Sequence, residues 1–454
     1  MKVALTPNTF TYTQTGEGIV ANTVSGVQLV FDEVGAKWLS LINRHWQDVD
    51  VLVNKLKTFE MFQEVDTKVL TDDYIEFLET LKENSLVSFS DTTSPDINTE
   101  EATAVHNDYK LTQLFVEITD RCNERCLHCY IPQKKKDEGN TISLDDFNNL
   151  IDQFVNMGGH HVTLSGGEVI LHKSLFDMIE YCRHRGLEVS ILSNCVLLNK
   201  GYAQKLKKLD VSDVQVSLYS VDEHTHDLIT GVEGSCARTM SAISILKTVG
   251  IEVKIAVSVL KENAPYVIDV VKFANNIGAL IHIDPVIMAQ SDLDTSNLLH
   301  RIDPVSARLF LESIADYDID FYKSQFYNTT VEDSDLLQFL NRFVCEVGKE
   351  SVCISPNGNV IPCAGWSGYI LGNITSKTLS EIWSDNVKLD KLRMVKEKDF
   401  PECVDCKYAC FCIRCLNKNY SENGDCMTIA KDFCNVAQLM TEIYNEHIIL
   451  RKEL

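Results

Sequence analysis

The sequence predicts an α/β chain built on a partial, TIM-like (β/α)6 barrel, with a small strand-and-helix domain before it and a cysteine-rich segment after it. Three observations carry this. Six β-type segments alternate with amphipathic helical segments between Leu114 and Asp284; a polar stretch poor in apolar residues separates them from residues 1–92; and ten of the sixteen cysteines fall between Cys345 and Cys434. Strands alternating with helices imply a parallel sheet with right-handed crossovers, and six such units close naturally into a partial barrel.

The first domain opens with strand-like segments at Thr9–Tyr12, Gly18–Ala21 and Val27–Phe31, separated by polar turns. Asp32 caps a helix carrying Val34, Trp38, Leu39 and Ile42, and Leu52 and Leu56 mark a second. A third starts at Thr71-Asp72-Asp73, with Ile75, Leu78 and Leu81 on one face. Three strands followed by three helices resemble the winged-helix recognition element of peptide-modifying systems, and the resemblance implies leader-peptide binding for residues 1–92. A dimerisation or regulatory winged helix shares the pattern. Residues 93–108, with Pro95 and many polar residues, read as a linker.

The barrel strands are expected at Leu114–Thr119, His161–Ser165, Glu188–Ser193, Asp213–Leu218, Glu252–Val259 and Leu280–Asp284. Helices are expected at Ser143–Met157, Ser174–Arg185, Cys236–Val249 and Pro265–Asn276. The barrel domain is taken as residues 109–320, and 321–454 as a bridging region and cysteine-rich domain.

A chain of 454 residues has room for two to four domains. The net charge of -23 opposes broad binding to nucleic acid or an anionic membrane, and the run Lys134-Lys135-Lys136 reads as a solvated loop. With no long apolar run and no signal-peptide pattern, the chain is expected to be cytoplasmic. Cytosolic thiols stay reduced, so the cysteines point to metal or cluster ligation rather than disulfides.

Cys122, Cys126 and Cys129 come directly after the first strand with the spacing Cys-x3-Cys-x2-Cys. Three thiolates on one loop can ligate three irons of a cubane and leave the fourth iron open; a structural zinc site needs four ligands and rarely has this first spacing. The loop resembles that of the radical S-adenosylmethionine (SAM) superfamily, and the resemblance covers residues 109–290. It implies that SAM chelates the open iron and is cleaved reductively to a 5'-deoxyadenosyl radical.

Further matches lie at the carboxyl ends of the later strands. Gly166, Gly167 and Glu168 resemble the motif that contacts the methionine amino group. Ser193, Asn194, Ser217 and Tyr219 resemble the polar positions around ribose and methionine, and His128 resembles the aromatic neighbour of adenine. No partner for the cofactor carboxylate is evident in the sequence.

In the C-terminal field, twelve residues separate Cys345 from Gly358, four separate Gly358 from Cys363, and Cys403-x2-Cys406-x5-Cys412 comes next, with Cys434 downstream. This resembles the SPASM extension, which implies two auxiliary [4Fe-4S] clusters and three in all. Cys345, Cys353, Cys363 and Cys415 would hold the first, and Cys403, Cys406, Cys412 and Cys434 the second. The resembled pattern places its cysteine at Leu416 rather than Cys415, so Cys410 and Cys426 remain alternatives; zinc ribbons share some of the local spacing.

The leading reading is a maturase of a ribosomal precursor peptide, bound through its leader and cross-linked through a thioether or a carbon-carbon bond, with a flavodoxin or ferredoxin as electron donor. The alternatives are peptide epimerisation, formylglycine formation in a folded protein, and a metal-bound winged-helix regulator.

Overall fold

A computed structural model of the chain describes residues 1–454 except 7–8, 15–16, 23–26, 43–45, 91–108, 329–335, 385, 405 and 454. The linker expected at 93–108 lies outside the described residues. The chain divides into two compact units, residues 1–105 with 186–188, and residues 106–185 with 189–454.

The first unit holds two antiparallel sheets. Thr9–Gln14, Glu17–Asn22 and Gln28–Phe31 pair in chain order, at the three predicted strand positions. The second sheet has no counterpart in the sequence pattern: Lys2–Leu5 runs between Gln47–Asp48 and Val87–Ser90, short segments whose partners lie far along the chain, where local pattern carries no pairing information. Three α-helices come after the first sheet. Glu33–Leu39 is capped by Asp32, which accepts from the Gly35 N–H. Val49–Leu56 comes next. Thr67–Glu83 begins a turn before the predicted Thr71, because Asp66 accepts from the Lys68 and Val69 N–H groups and fixes the start. The helices bury Leu52, Leu56, Leu78 and Leu81 in one core. Trp38 meets Tyr74 and Phe77 edge-on at 5.8 and 5.1 Å.

The second unit is organised on one sheet. Its strands are β1 (Gln113–Thr119), β2 (His161–Gly166), β3 (Glu188–Ser193), β4 (Asp213–Ser217), β5 (Glu252–Ser258), β6 (Leu280–Asp284), β7 (Ser351–Ile354), β8 (Asn359–Ile361) and β9 (Gly372–Asn373). Their order is β6-β5-β4-β3-β2-β1-β7-β8-β9. Strands β1 to β6 keep chain order, and the parallel pairs β1/β2, β3/β4, β4/β5 and β5/β6 form the expected partial barrel. The four predicted helices are found as Leu144–Asn156, Leu175–His184, Ser235–Thr248 and Val267–Asn276. The lysine-rich Lys200–Lys208 and the short Glu223–Thr230 also form helices, beyond the four that the sequence predicts.

The C-terminal field does not begin apart from the barrel. Its strand β7 pairs parallel to β1, with Cys353 beside Phe115 and Val352 beside Leu114. The hairpin β7/β8 then turns the chain away. Among the described residues no helix is long and apolar enough to cross a membrane.

Helix Leu144–Asn156 turns Phe147, Leu150, Ile151 and Phe154 inward, all fully buried. Truncating Phe154 to Ala leaves a cavity, at an expected cost of about 3–5 kcal/mol. Urea denaturation of Phe154→Ala against the parent chain checks this.

Candidate active site and cluster sites

Where β1 ends at Thr119 the chain enters the loop carrying Cys122, Cys126 and Cys129. This loop is pinned by the end of helix Glu223–Thr230: the Arg125 N–H donates to Thr230 O at 2.8 Å, and the Leu127 N–H to Ile229 O at 2.9 Å. Within the loop the Cys129 N–H donates to Cys126 O at 3.2 Å, and the Glu124 N–H points at Cys122 Sγ at 3.4 Å. Burial raises the Cys126 thiol well above its usual range, and the neighbouring Glu124, Cys129 and Cys122 add to this. Among the described residues no three His, Cys, Asp or Glu side chains converge on a single-ion site.

The glycines after β2 bring it against this loop. A Cβ on Gly166 (φ +141°) would lie 2.3 Å from Thr119 O, and one on Gly167 would lie 2.3 Å from Arg121 O. The close approach lets the Gly167 N–H donate to Thr119 O at 2.7 Å and the Glu168 N–H to Arg121 O at 2.8 Å. The crowding that excludes a side chain thus comes from the protein's own main chain.

Glu168 is 1% exposed. Its Oε1 accepts from Ser193 Oγ at 2.7 Å and the Ile170 N–H at 3.0 Å, and its Oε2 accepts from the Asn194 N–H at 2.8 Å. Burial raises its pKa above the usual carboxylate range despite these bonds. The Ser193 hydroxyl and Asn194 N–H are therefore engaged in holding Glu168. The Asn194 amide donates to Asn123 Oδ1 at 3.0 Å and lies 4.0 Å from Cys122 Sγ.

On the far side, the Tyr219 ring meets His128 edge-on at 4.7 Å, and its hydroxyl neighbours Ser217. Burial pushes His128 down to about 4, so the ring is neutral near pH 7, and its Nδ1 is buried without a protein partner.

Sequence reasoning missed two residues here. Glu124, between the first two cysteines, is 2% exposed; Cys126 Sγ points at its Oε2 at 3.4 Å, its Oε1 has no partner, and burial pushes its carboxyl up to about 7. Lys136 is the second, and it corrects the reading of Lys134–Lys136 as a solvated loop. The run lies in a short helix, Gln133–Glu138, that buries Lys136 near all three loop thiols. Lys135 reaches Ser367 Oγ at 2.8 Å, while Lys134 is exposed. The periodicity of a six-residue helix is too short to reveal which lysine turns inward.

The C-terminal cysteines form two groups. Cys403, Cys406, Cys412 and Cys434 line one cavity of about 590 Å³ and interact mutually, and burial pushes Cys403 up to about 12 and Cys412 to about 11. Cys363 lies near Cys415 and Cys345, and Cys353 lies near Cys363 and Glu117. Cys345 also lines the cavity of the first group. Cys426 lies near Tyr369 and packs against the same hydrophobic core as Cys345 and Cys363, and Cys410 lies near Arg342, as Cys412 does.

The residues fit the groups that the resemblance implies. A thiol loop faces a buried carboxylate and two partnerless polar atoms, Glu124 Oε1 and His128 Nδ1, as a polar ligand beside a cluster requires. A cavity lined by five cysteines gives room for a second cluster. Two outcomes are expected. Gly167→Ala, blocked by Arg121 O, should lower iron bound at the first loop to well under half, measured in a chain whose C-terminal cysteines are replaced. Cys415→Ala should lose iron or alter one auxiliary-cluster spectrum, whereas Cys410→Ala should do neither, in iron assay and Mössbauer spectroscopy.

Comparison with known proteins agrees with this geometry. Residues 116–274 match the radical SAM superfamily, and residues 345–410 match the SPASM iron-sulfur cluster-binding domain. The subtilosin biosynthesis protein AlbA of Bacillus subtilis is 27% identical over 317 residues, covering 68% of this chain and 67% of AlbA. An AdoMet-dependent heme synthase of Nitratidesulfovibrio vulgaris is 25% identical over 334 residues, covering 68% of this chain and 89% of that protein. The fold resembles that of SuiB from Streptococcus suis in complex with the precursor peptide SuiA, with a TM-score of 0.64 at 16% identity, covering 96% of this chain and all of SuiB. The chain thus carries a radical SAM domain over residues 116–274 and a SPASM domain over residues 345–410, with SAM and three [4Fe-4S] clusters as cofactors.

Proposed function

We propose that this enzyme matures a ribosomally made precursor peptide, holding the leader on residues 1–92 and cross-linking the core through a thioether or a carbon-carbon bond. The observation that carries this reading is the separate N-terminal unit, with its own core and two small sheets, joined to a radical SAM and SPASM unit. Similarity to AlbA, named for bacteriocin biosynthesis, and the fold shared with the SuiB–SuiA complex support it.

In this reading, the cluster at Cys122, Cys126 and Cys129 supplies, with SAM, the 5'-deoxyadenosyl radical that abstracts hydrogen from the peptide. The chain's own residues position and enclose. Glu168, fixed by Ser193 and Asn194, offers its carboxylate to the methionine ammonium. His128 and Tyr219 form an aromatic wall, and Tyr219 is held from behind by the His226 ring, which accepts from its N–H at 3.2 Å. Cys345, Cys353, Cys363 and Cys415 hold one auxiliary cluster, and Cys403, Cys406, Cys412 and Cys434 the other. A flavodoxin or ferredoxin delivers electrons.

Leader capture uses strand addition to an outer strand of the first sheet, where Gln28–Phe31 pairs with one neighbour and Val30 is half exposed. Holding the leader raises the effective concentration of the core at the barrel.

Removing residues 1–92 should raise the KM for the full precursor at least tenfold while slow uncoupled cleavage of SAM continues, because Cys122, Cys126, Cys129 and Glu168 all lie beyond the deletion. The assay compares turnover of precursor, leaderless core and an iron tetrapyrrole by full-length and truncated enzyme. Unchanged precursor turnover after truncation, or turnover of the tetrapyrrole alone, would refute the reading.

A further inference from the structure

Three consecutive lysines lie just beyond the cluster loop, and the fold gives each a different surrounding. Lys134 is exposed, Lys135 bonds Ser367, and Lys136 is only 6% exposed. The helix that sorts them ends at Gly139 in the left-handed region (φ +62°), where a Cβ would lie 2.8 Å from Arg121 Nε. This close return fixes the helix against the loop and directs Lys136 inward.

A buried ammonium requires partners that carry opposite charge. The Lys136 ammonium donates to Glu124 O, a main-chain oxygen of the cluster loop, at 3.5 Å, and the side chains of Cys122, Cys126, Cys129 and Glu124 lie near it. Glu124 and Glu168 both lie near Cys122.

We propose that Lys136 is a positioning residue for electron entry: its fixed cation, buried against the main chain of the cluster loop at Glu124, holds the reduction potential of the SAM-binding cluster higher than the loop alone would allow. Reduction adds one negative charge to a cluster already ringed by thiolates and carboxylates. In a medium of low dielectric constant, a cation a few ångströms away stabilises the reduced form more than the oxidised form. The peptide reading is not needed for this inference, which rests on the cluster assignment to Cys122, Cys126 and Cys129.

The test is potentiometric EPR titration of full-length K136M, K136Q and K136R, tracking the cluster whose signal changes when SAM is added. The midpoint should fall in K136M and K136Q and return toward the parent value in K136R, while the auxiliary clusters keep theirs. An unchanged midpoint in the neutral variants at full iron content overturns the proposal. So does an unchanged midpoint with weakened SAM binding, which would place the ammonium on the cofactor carboxylate. Loss of the cluster in both neutral variants but not in K136R would overturn it in favour of an assembly role. The C122A/C126A/C129A chain tests the underlying assignment separately, since it should lose both the SAM-responsive signal and 5'-deoxyadenosine formation.

Discussion

The parallel pairing of β1 with β2 on one side and β7 on the other is the constraint on which both cysteine fields depend. β1 delivers the three-cysteine loop from its carboxyl end, and the ladder to β7 sets Cys353 beside Phe115. One strand therefore fixes the origin of the three-cysteine loop and the place of Cys353, more than two hundred residues away in sequence. A slip of one residue in either ladder would turn the side chains to the opposite face of the sheet. The tight approach of Gly166 and Gly167 to the main chain of residues 119–121 locks the first register.

The site built on this strand concentrates buried acid. Burial raises Glu117 and Glu124 to about 7 and pushes Glu168 above the usual range. Each is relieved differently: Glu117 accepts from the Tyr130 hydroxyl at 2.9 Å, Glu168 has three donors, and Glu124 has the Cys126 thiol alone. These acids gather near the carboxyl ends of barrel strands, where the functional groups of this fold collect. The neutral His128 and the aromatic Tyr219 close the apolar side, so a charged ligand would find complementary groups on one wall and ring surface on the other.

The polar positions after β3 show how far motif reading reaches. Ser193 and Asn194 stand at the end of β3, where the Ser193 hydroxyl and the Asn194 N–H donate to Glu168 while the Asn194 amide donates to Asn123. For the C-terminal cysteines, spacing alone left Cys410, Cys415 and Cys426 open, and the fold brings Cys415 to Cys345 and Cys363.

The sequence by itself determined the features that arise from local period and spacing. Alternating strands and helices announced the barrel, Cys-x3-Cys-x2-Cys announced the loop, and Asp32 announced a helix cap, because each depends on neighbours within a few residues. Tertiary structure alone decided that β7 joins the barrel sheet, that the main chain at Ile229 and Thr230 pins the cysteine loop, and that Lys136 rather than Lys134 turns toward the thiols. These depend on contacts between segments distant in the chain, or on the facing of a helix too short to show a period. Their energy lies in burial and pairing that exist only once the sheet has closed.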